Sequence, residues 1–379
     1  MQISVCEKSK VQYISVWGEI ESKEDAHVLL ETLNKRASNE VIITFLEASI
    51  LPVDVIDKLS ELQEIEKFRI HVTRRYLYSY LYSLGIKVRL VIQNKPFYEK
   101  KTETYCSINE SLDEKEVFEF LNDIYNIYGY DYREYQIQSI MRRIRIAMLR
   151  ENIYELSRFR EVVISDLQTF ESLFLDFSIN TTDFFRDSQV FYNIRNKVLP
   201  YLKSYPHIKI WCAGCSTGKE VYSLAILLKE CGILNKSQIY ATDINPYVIE
   251  EAKNGIYSIE TLDKDIGNYR KSGGEKSFTE YFNFNKEYMV VEEEIKNKIL
   301  FFQHSLVGPG SLNEFQLILC RNVMIYFNNS LQRQVIESFS NSLSFNGFLV
   351  LGKSEGLLQN GGSIFFNKVD EENKIYKKR

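Results

Sequence analysis

An alternation of apolar strands and amphipathic helices in the second half of the chain most constrains its fold. The segments HIKIWCAG, SQIYATDIN, FQLILCRN and GFLVLGKSE have the composition of buried strands, and helical segments such as VYSLAILLKECG separate them. Strands of this kind, joined by helices, form a parallel, doubly wound sheet. Ligands of such sheets bind at the carboxyl ends of the strands. The sequence therefore predicts an α/β domain over residues 197–379 with a ligand site at one edge of its sheet.

The same alternation occurs at the other end of the chain, in residues 1–96. The segments VQYISVW, EVIITFLEAS, FRIHVT and KVRLVIQ are predicted strands, and Ser22 is the predicted N-cap of the first helix between them. Residues 97–113 are polar and highly charged, with little apolar periodicity, and are predicted to be a linker. The sequence thus predicts a separate N-terminal α/β domain.

Residues 114–196 are predicted to be entirely helical. In YQIQSIMRRIRIAML, apolar side chains recur at helical spacing on one face, while Arg142, Arg143, Arg145 and Arg150 fall largely outside it. These arginines are either an ordinary solvated helix surface or a cationic face for an acidic partner, and the pattern does not distinguish the two.

Composition excludes several classes of protein. The net charge of −4 argues against nucleic acid as the main partner. No segment reaches the roughly 18–20 apolar residues that a membrane-spanning helix needs, and the first residues lack the apolar core of a signal peptide. The six cysteines are scattered through the 379 residues, as expected of free thiols in a reducing compartment. The expected location is the cytoplasm, without membrane insertion.

The loop CAGCSTGKE follows the first strand of the C-terminal domain. Gly214 and Gly218 let the backbone approach a ligand closely. A phosphate-binding loop would require Gly at position 213 and Ser or Thr at position 220, where the chain has Ala213 and Glu220. A redox or metal role for the CxxC pair is less favoured than small side chains packing a loop, because no second pair stands at zinc spacing.

Three further polar blocks lie near predicted strand ends. Asp243 ends the second strand, where a carboxylate can accept hydrogen bonds from ribose hydroxyls, although Asp is also a common helix N-cap. NTTDFFRDS precedes the sheet domain, and CRNVMIYF ends a later strand. Their phenylalanines are expected to be core residues, and their polar groups need partners that a cofactor would provide. Together with the glycine loop, Asp243 suggests an adenosine-containing cofactor.

These blocks resemble the CheR-type chemoreceptor methyltransferases. NTTDFFRD, WCAGCSTGKEVYSLAI, YATDINPYVIEEAKNGIY, FQLILCRNVMIYF and GKSE are similar to that family's blocks, as is the upstream YREYQIQSIMRRIRIAM. The resemblance covers roughly residues 115–370 in the family's order and spacing. It implies a Rossmann-like α/β methyltransferase domain with a small inserted antiparallel β-subdomain at about 258–298, preceded by an all-helical domain at 114–196.

The resemblance also implies the roles of individual residues. Arg186 and Tyr326 would be catalytic and would lie closest to the transferred methyl group. The cofactor S-adenosylmethionine, with S-adenosylhomocysteine as product, would be bound by Asn180, Thr182, Arg186, Gly214, Glu220, Asp243, Ser305, Leu306, Arg321 and Asn322. No metal is expected. Two positions depart from the family pattern: Lys219 replaces an acidic residue, and Ser305 replaces an asparagine near the adenine.

The order of elements in residues 1–96 resembles the STAS fold of anti-sigma-factor antagonists, which implies a docking or regulatory module for a partner protein. The resemblance implies a phosphorylatable serine at the start of the second helix, where this chain has Pro52, Val53 and Asp54. Ser49 is a poor substitute, so a phosphorylation switch is not expected there. A passive fused domain is the alternative. In some members of the methyltransferase family the β-subdomain docks a receptor's C-terminal peptide. SGGEK at 272–276 gives only weak support for that role here, and an ordinary turn is the favoured interpretation.

The predicted function is methylation of glutamate side chains in the cytoplasmic domain of a chemoreceptor. A glutamate with an ordinary pKa of about 4.3 is already ionised at neutral pH, so its attack on a sulfonium methyl group needs no general base. Two alternatives remain. One is methylation of another protein or a small acid, and the other is a non-catalytic scaffold that senses S-adenosylmethionine.

Overall fold

The computed structural model describes residues 1–8, 11–20, 22–35, 40–65, 67–91, 112–178, 180, 182–308, 312, 314–357 and 362–379. Most of the predicted linker, residues 97–111, lies outside the described residues. The chain divides into two compact units. Unit 1 comprises residues 1–106 together with Asn254–Thr261 and Phe284–Val290. Unit 2 comprises residues 107–253 together with Leu262–Asn283 and Val291–Arg379.

Unit 1 contains a five-stranded sheet in the order β1-β2-β3-β4-β5. Its elements are β1 Gln2–Lys8, β2 Val11–Trp17, α1 Lys23–Asn34, β3 Glu40–Phe45, α2 Val53–Gln63, β4 Phe68–Val72, α3 Arg75–Ser83 and β5 Val88–Leu90. Strands β2 to β5 are parallel, and β1 pairs antiparallel with β2. Ser22 caps α1 as predicted, with Asp25 completing a capping box. The sequence does not predict β1, because this edge strand is largely exposed and has little apolar period.

Two segments distant in sequence complete the core of unit 1. Ile256 and Tyr288 are buried in the same apolar cluster as the side chains of the five-stranded sheet and its helices. The Tyr288 hydroxyl donates a hydrogen bond to Asp57 of α2, and Glu287 accepts hydrogen bonds from Ser60 and Gln63. The strands that carry Ile256 and Tyr288 therefore share a core with the N-terminal elements.

Unit 2 begins with a helical segment. Its helices are α4 Glu114–Tyr128, α5 Ile137–Arg150, α6 Leu156–Ser165, α7 Leu167–Phe177, α8 Ser188–Asn193 and α9 Leu199–Leu202, with a π-helical turn at Ile194–Val198. The prediction of an entirely helical segment is wrong between α7 and α8, since Phe185 and Asp187 have positive φ angles of 49° and 57°. On α5, Arg143 and Arg150 bond to residues of α7, which leaves Arg142 as an exposed arginine of the predicted cationic face.

The remainder of unit 2 is built on a seven-stranded sheet in the order β11-β7-β6-β12-β13-β15-β14. The first five strands in this order, from β11 to β13, are parallel to one another. Strand β15 pairs antiparallel with β13, and β14 pairs antiparallel with β15. A separate three-stranded sheet has the order β8-β10-β9, in which β8 and residues 288–290 of β10 belong to unit 1. The elements are β6 Ile208–Ala213, α10 Lys219–Glu230, β7 Ser237–Asp243, α11 Pro246–Asn254, β8 Ile256–Ser258, α12 Leu262–Lys271, β9 Phe282–Phe284, β10 Tyr288–Val291, α13 Glu293–Lys296, β11 Ile299–Gln303, β12 Phe315–Cys320, α14 Asn329–Ser342, β13 Leu343–Leu351, β14 Phe366–Asp370 and β15 Ile375–Lys378.

The parallel strands are buried on both faces, as the near-continuous apolar runs predict. Trp211, Leu317, Ile318 and Val350 are at most 1% exposed, and Trp211 of β6 pairs with Tyr240 of β7. The sequence does not predict β11, β14 and β15, which lie at the two edges of the sheet. No helix among the described residues is long and apolar enough to cross a membrane.

Candidate active site

A cleft opens at the carboxyl ends of β6, β7 and β12 in unit 2. It is lined by residues of the helical segment (Tyr132, Tyr135, Phe177, Ser178), of the loop before α8 (Asn180, Thr182, Arg186), and of the strand ends and the loops that follow them (Gly214, Cys215, Ser216, Glu220, Asp243, Ile244, His304, Leu306, Arg321, Asn322, Val323, Ile325, Tyr326, Phe327). Ligands of doubly wound sheets bind at this position.

Nearly all predicted site residues meet in this cleft. Both predicted catalytic residues, Arg186 and Tyr326, line it, together with nine of the ten residues predicted to bind the cofactor. The exception is Ser305, which is exposed and whose Oγ accepts a hydrogen bond from Val307 N–H at 3.1 Å. Its neighbours His304 and Leu306 line the cleft instead.

The glycine loop and Asp243 are held together by backbone hydrogen bonds. Gly214 and Cys215 donate to Thr242 O at 2.8 and 2.9 Å, which ties the loop after β6 to the end of β7. Ser216 N–H donates to Asp243 Oδ2 at 2.8 Å, and Asn245 N–H donates to Oδ1 at 3.0 Å. Burial raises the pKa of Asp243, and these N–H donors oppose that rise. The carboxylate is thus fixed in place at the strand end.

Only glycine fits at position 214. Its φ angle is 75°, and a Cβ atom here would overlap the side chain of Val323. Val323 belongs to the turn that follows β12, so the loops after two neighbouring strands interlock at this point.

Arg321 is the central buried charge of the site. Its side chain is fully buried, and its guanidinium donates to Glu220 Oε2 at 2.5 Å and to Asp187 Oδ2 at 2.8 Å. It also donates to Arg186 O at 3.2 Å. A buried arginine that binds two carboxylates fixes the start of α10 and the loop before α8 relative to β12. The structure therefore assigns Arg321 to holding Glu220 and Arg186 in position.

Tyr326 lies where the helical segment meets the sheet. Its backbone carbonyl accepts a hydrogen bond from Gln136 N–H at 2.8 Å, and its ring lies 5.6 Å from the Arg143 guanidinium of α5. Burial raises the pKa of Tyr326, opposed by the charges of Arg143 and Arg186. The phenol is consequently protonated at neutral pH and available as a hydrogen-bond donor.

Lys219 points to an aromatic ring, although the sequence placed it beside the cofactor site. Its ammonium lies 5.7 Å from the centroid of the Phe184 ring, a cation–π distance. Glu220, the next residue, lines the cleft. Because Lys219 begins helix α10 and Glu220 follows it by 100° of helical rotation, the two side chains leave the helix in different directions.

Several cleft residues were not predicted from the sequence. Tyr132, Tyr135 and Phe177 belong to the helical segment, and no local pattern distinguishes them from core aromatics. Tyr132 is 2% exposed, and its hydroxyl has no protein partner among the described residues. His304 Nδ1 and Arg321 Nε, in the same described part of the chain, are likewise buried without a partner. Buried polar atoms of this kind around one cleft indicate a polar ligand.

Comparison with known proteins identifies the family. The model of the CheR methyltransferase SAM-binding domain matches residues 180–373. The chain belongs to the CheR methyltransferase family. The Pseudomonas putida protein named Cher3 is 40% identical over 255 residues, which cover 67% of this chain and 93% of that protein. The chemotaxis protein methyltransferase of Borreliella burgdorferi is 31% identical over 272 residues, covering 67% of this chain and 92% of that protein.

The comparison with solved structures also found methyltransferases of low sequence identity. The N-methyltransferase NodS of Bradyrhizobium japonicum, solved with S-adenosylhomocysteine, is 11% identical, with a TM-score of 0.30 over 51% of this chain and 86% of that one. This likeness is too weak to add to the family assignment.

The cofactor of this CheR protein is S-adenosylmethionine (SAM), and the residues of the cleft fit it. A fixed carboxylate at the second strand end suits a ribose, and the unpartnered Tyr132 hydroxyl and His304 Nδ1 can bond to a polar ligand. The carboxylate of Glu220, which Arg321 holds in place, lies in the same cleft and would suit the ammonium group of the methionine moiety.

Proposed function

We propose that this CheR protein transfers the methyl group of SAM to glutamate side chains in the cytoplasmic domain of a bacterial chemoreceptor. The observation that carries the proposal is the presence of Arg186 and Tyr326 in the cleft that also contains Asp243 and Glu220. A guanidinium and a phenol that face the cofactor cleft together provide the donors that a carboxylate substrate requires. The name of the Borreliella burgdorferi relative supports a role in chemotaxis.

The proposed reaction relies on positioning. When bound, SAM supplies an activated methyl group, and an ionised glutamate is a nucleophile without further deprotonation. Arg186 is proposed to bind the glutamate carboxylate, since a guanidinium offers a planar pair of donors. The protonated Tyr326 hydroxyl then orients one carboxylate oxygen for in-line attack. Orientation of this kind is worth roughly 7–11 kcal/mol when the reacting atoms are well aligned.

The acceptor is tested with the protein's own receptors. The purified chain is incubated with methyl-labelled SAM and host membranes, and volatile label is then released with base. Label on receptor bands that base releases as methanol supports a glutamate ester. Base-stable label would indicate another acceptor. The variant Tyr326→Phe, expected to bind cofactor but to transfer less label, is the matched control.

The alternative is a scaffold that binds SAM without transferring its methyl group. The exposed position of Ser305 favours this alternative, because the predicted contact near the adenine is not in the cleft. Its expected result is SAM binding by calorimetry with no transfer to any acceptor in host membranes or extract. The other argument for a scaffold is Lys219 as a cation beside the cationic cofactor, and its ammonium position 5.7 Å from the Phe184 ring supports the catalytic proposal over this alternative.

We also propose that the N-terminal domain is a STAS-like docking or regulatory module. The support is topological, namely four parallel strands joined by helices with one antiparallel edge strand. The test must use the full chain, because Ile256 and Tyr288 belong to the core of the same unit and a truncation would expose them. The methylation rate of the full chain is compared with and without host cytosol. A change that surface substitutions on α1 abolish supports regulation, and an unchanged rate indicates a passive domain.

A further inference from the structure

Glu355 is a buried carboxylate outside the lining of the cleft. It is 6% exposed and follows β13 by four residues. Its Oε2 accepts hydrogen bonds from Gly352 N–H at 2.6 Å and Asn322 N–H at 3.0 Å. Its Oε1 accepts hydrogen bonds from Val323 N–H at 2.9 Å and Met324 N–H at 2.7 Å. One side chain thus binds four backbone donors, three of them consecutive.

The three consecutive donors belong to the turn between β12 and the short 3₁₀ helix Met324–Tyr326. Here the chain leaves the sheet, so these N–H groups have no ladder partner. Asn322 has a φ angle of 60°, in the left-handed region that asparagine adopts more readily than most residues with a side chain. An external acceptor is therefore needed to hold this turn.

The same turn carries three of the predicted site residues, Arg321, Asn322 and Tyr326, and all three line the cleft. The positions of these three side chains depend on the conformation of the turn that carries them. We propose that Glu355 is a positioning residue of the methyltransferase, which fixes this turn through its backbone and thereby sets the geometry of cofactor binding and methyl transfer. The cofactor part concerns the SAM site itself, and the transfer part rests on the proposed function.

The packing around Glu355 leaves little room for rearrangement. A Cβ atom on Gly352 would lie 2.7 Å from Glu355 Oε2 and 2.8 Å from Asn322 N. Burial raises the pKa of Glu355, while the four N–H donors lower it. Only an ionised carboxylate can accept from all four donors, because a protonated one would direct its own O–H against them.

The test is the substitution Glu355→Gln, which keeps the shape of the side chain and replaces one acceptor oxygen by a donor. Two measurements are made below the melting temperature of the variant: the Kd for S-adenosylhomocysteine by calorimetry, and kcat and KM for methyl transfer. We expect the Kd to rise by at least about tenfold and kcat to fall more than KM for the acceptor rises. Because the Kd requires no acceptor, it remains informative if the proposed substrate is wrong.

A matched control separates positioning from a general loss of stability. Asp370 on β14 is also a carboxylate that accepts a backbone hydrogen bond, from Asn373 N–H at 3.0 Å, and it pairs with Lys197 at 2.7 Å. It lies on the edge strand of the sheet, three positions from β12. We expect Asp370→Asn to lower the melting temperature without changing the Kd.

The outcomes are distinct. A raised Kd for Glu355→Gln with an unchanged Kd for Asp370→Asn supports the proposal. A lower melting temperature for Glu355→Gln with a Kd within about twofold of the wild type overturns it, because the carboxylate would then be structural only. If Glu355→Gln does not fold, Gly352→Ala disturbs the same contacts, and an unchanged Kd in that variant also overturns the proposal.

Discussion

In each of the two mostly parallel sheets, a backbone N–H just after one strand donates a hydrogen bond to a carboxylate at or after the end of the neighbouring strand. In unit 1, Gly18 N–H, just after β2, donates to Glu47, just after β3, at 3.0 Å. In unit 2, Ser216 N–H, just after β6, donates to Asp243, at the end of β7, at 2.8 Å. Glu47 is exposed, whereas Asp243 lines a cleft.

The difference lies in what surrounds the two carboxylates. Asp243 shares its cleft with Tyr132, Tyr135 and Phe177 of the helical segment, whose aromatic rings exclude water. A carboxylate that is partly removed from water binds a ligand's hydroxyl groups more strongly than one that is fully hydrated. Another element of its unit covers Asp243, whereas Glu47 is exposed, and for this reason only Asp243 is proposed to bind the cofactor.

The largest expected effect concerns the buried ion pairs of Arg321 in unit 2, compared with an exposed ion pair in unit 1. Arg321→Met should leave Glu220 and Asp187 without their shared cation, costing about 3–5 kcal/mol of unfolding free energy and abolishing SAM binding. Arg69→Met in unit 1 removes an exposed ion pair with Glu40 and should change little. Urea unfolding and calorimetry measure both. Equal losses in the two variants would remove the distinction between the units.

The next effect separates the two carboxylates directly. Asp243→Asn should weaken binding of S-adenosylhomocysteine about 10- to 100-fold, because hydrogen bonds to a charged group are lost. Glu47→Gln should leave that affinity unchanged, since its carboxylate is exposed in unit 1. Calorimetry on the two folded variants provides the measurement. Retained affinity in Asp243→Asn would contradict the assignment of this carboxylate to the cofactor.

The third prediction compares the loss of one tyrosine hydroxyl in each unit. Tyr326→Phe should lower kcat about tenfold with an unchanged Kd for S-adenosylhomocysteine, because it removes one donor to the proposed substrate. Tyr288→Phe leaves Asp57 without its phenolic donor, so it should lower the stability of unit 1 by about 1–3 kcal/mol and leave kcat unchanged. Kinetics with labelled SAM and thermal unfolding test both. A normal kcat in Tyr326→Phe would exclude its catalytic role.

The smallest expected effect is a dependence of stability on pH. Burial lowers the pKa of His304 in unit 2, and burial with the charges of Arg89 and Arg69 lowers that of His71 in unit 1. Between each lowered folded pKa and the ordinary 6.5, the unfolded chain binds more protons, so stability rises with pH through that window.

Melting temperatures between about pH 5.5 and 7.5 should therefore increase with pH, and His304→Asn or His71→Asn should each flatten the increase. Of the two, only His304→Asn should also weaken binding of S-adenosylhomocysteine, because His304 lines the cleft. An equal loss of affinity in His71→Asn would contradict this division.

Much of the site could be predicted because its residues occur in blocks at strand ends. Gly214, Asp243, Arg321 and Tyr326 follow or end predicted strands, and the topology of a parallel sheet brings such positions together. Ser305 was placed in the site by its position in a block, yet its side chain faces solvent. A sequence block locates a backbone segment, and the direction of each side chain depends on local turns.

The sequence by itself determined most of the strand–helix order and the parallel part of the sheet, because these depend on local periodicity, and the resemblance of its blocks to a known family implied the SAM site. Tertiary structure alone decided which aromatic side chains cover Asp243, that Glu355 holds the turn after β12, and that Ile256 and Tyr288 complete the N-terminal core. Each of these contacts joins residues far apart along the chain, and an apolar or acidic side chain carries no local signal of its distant partner.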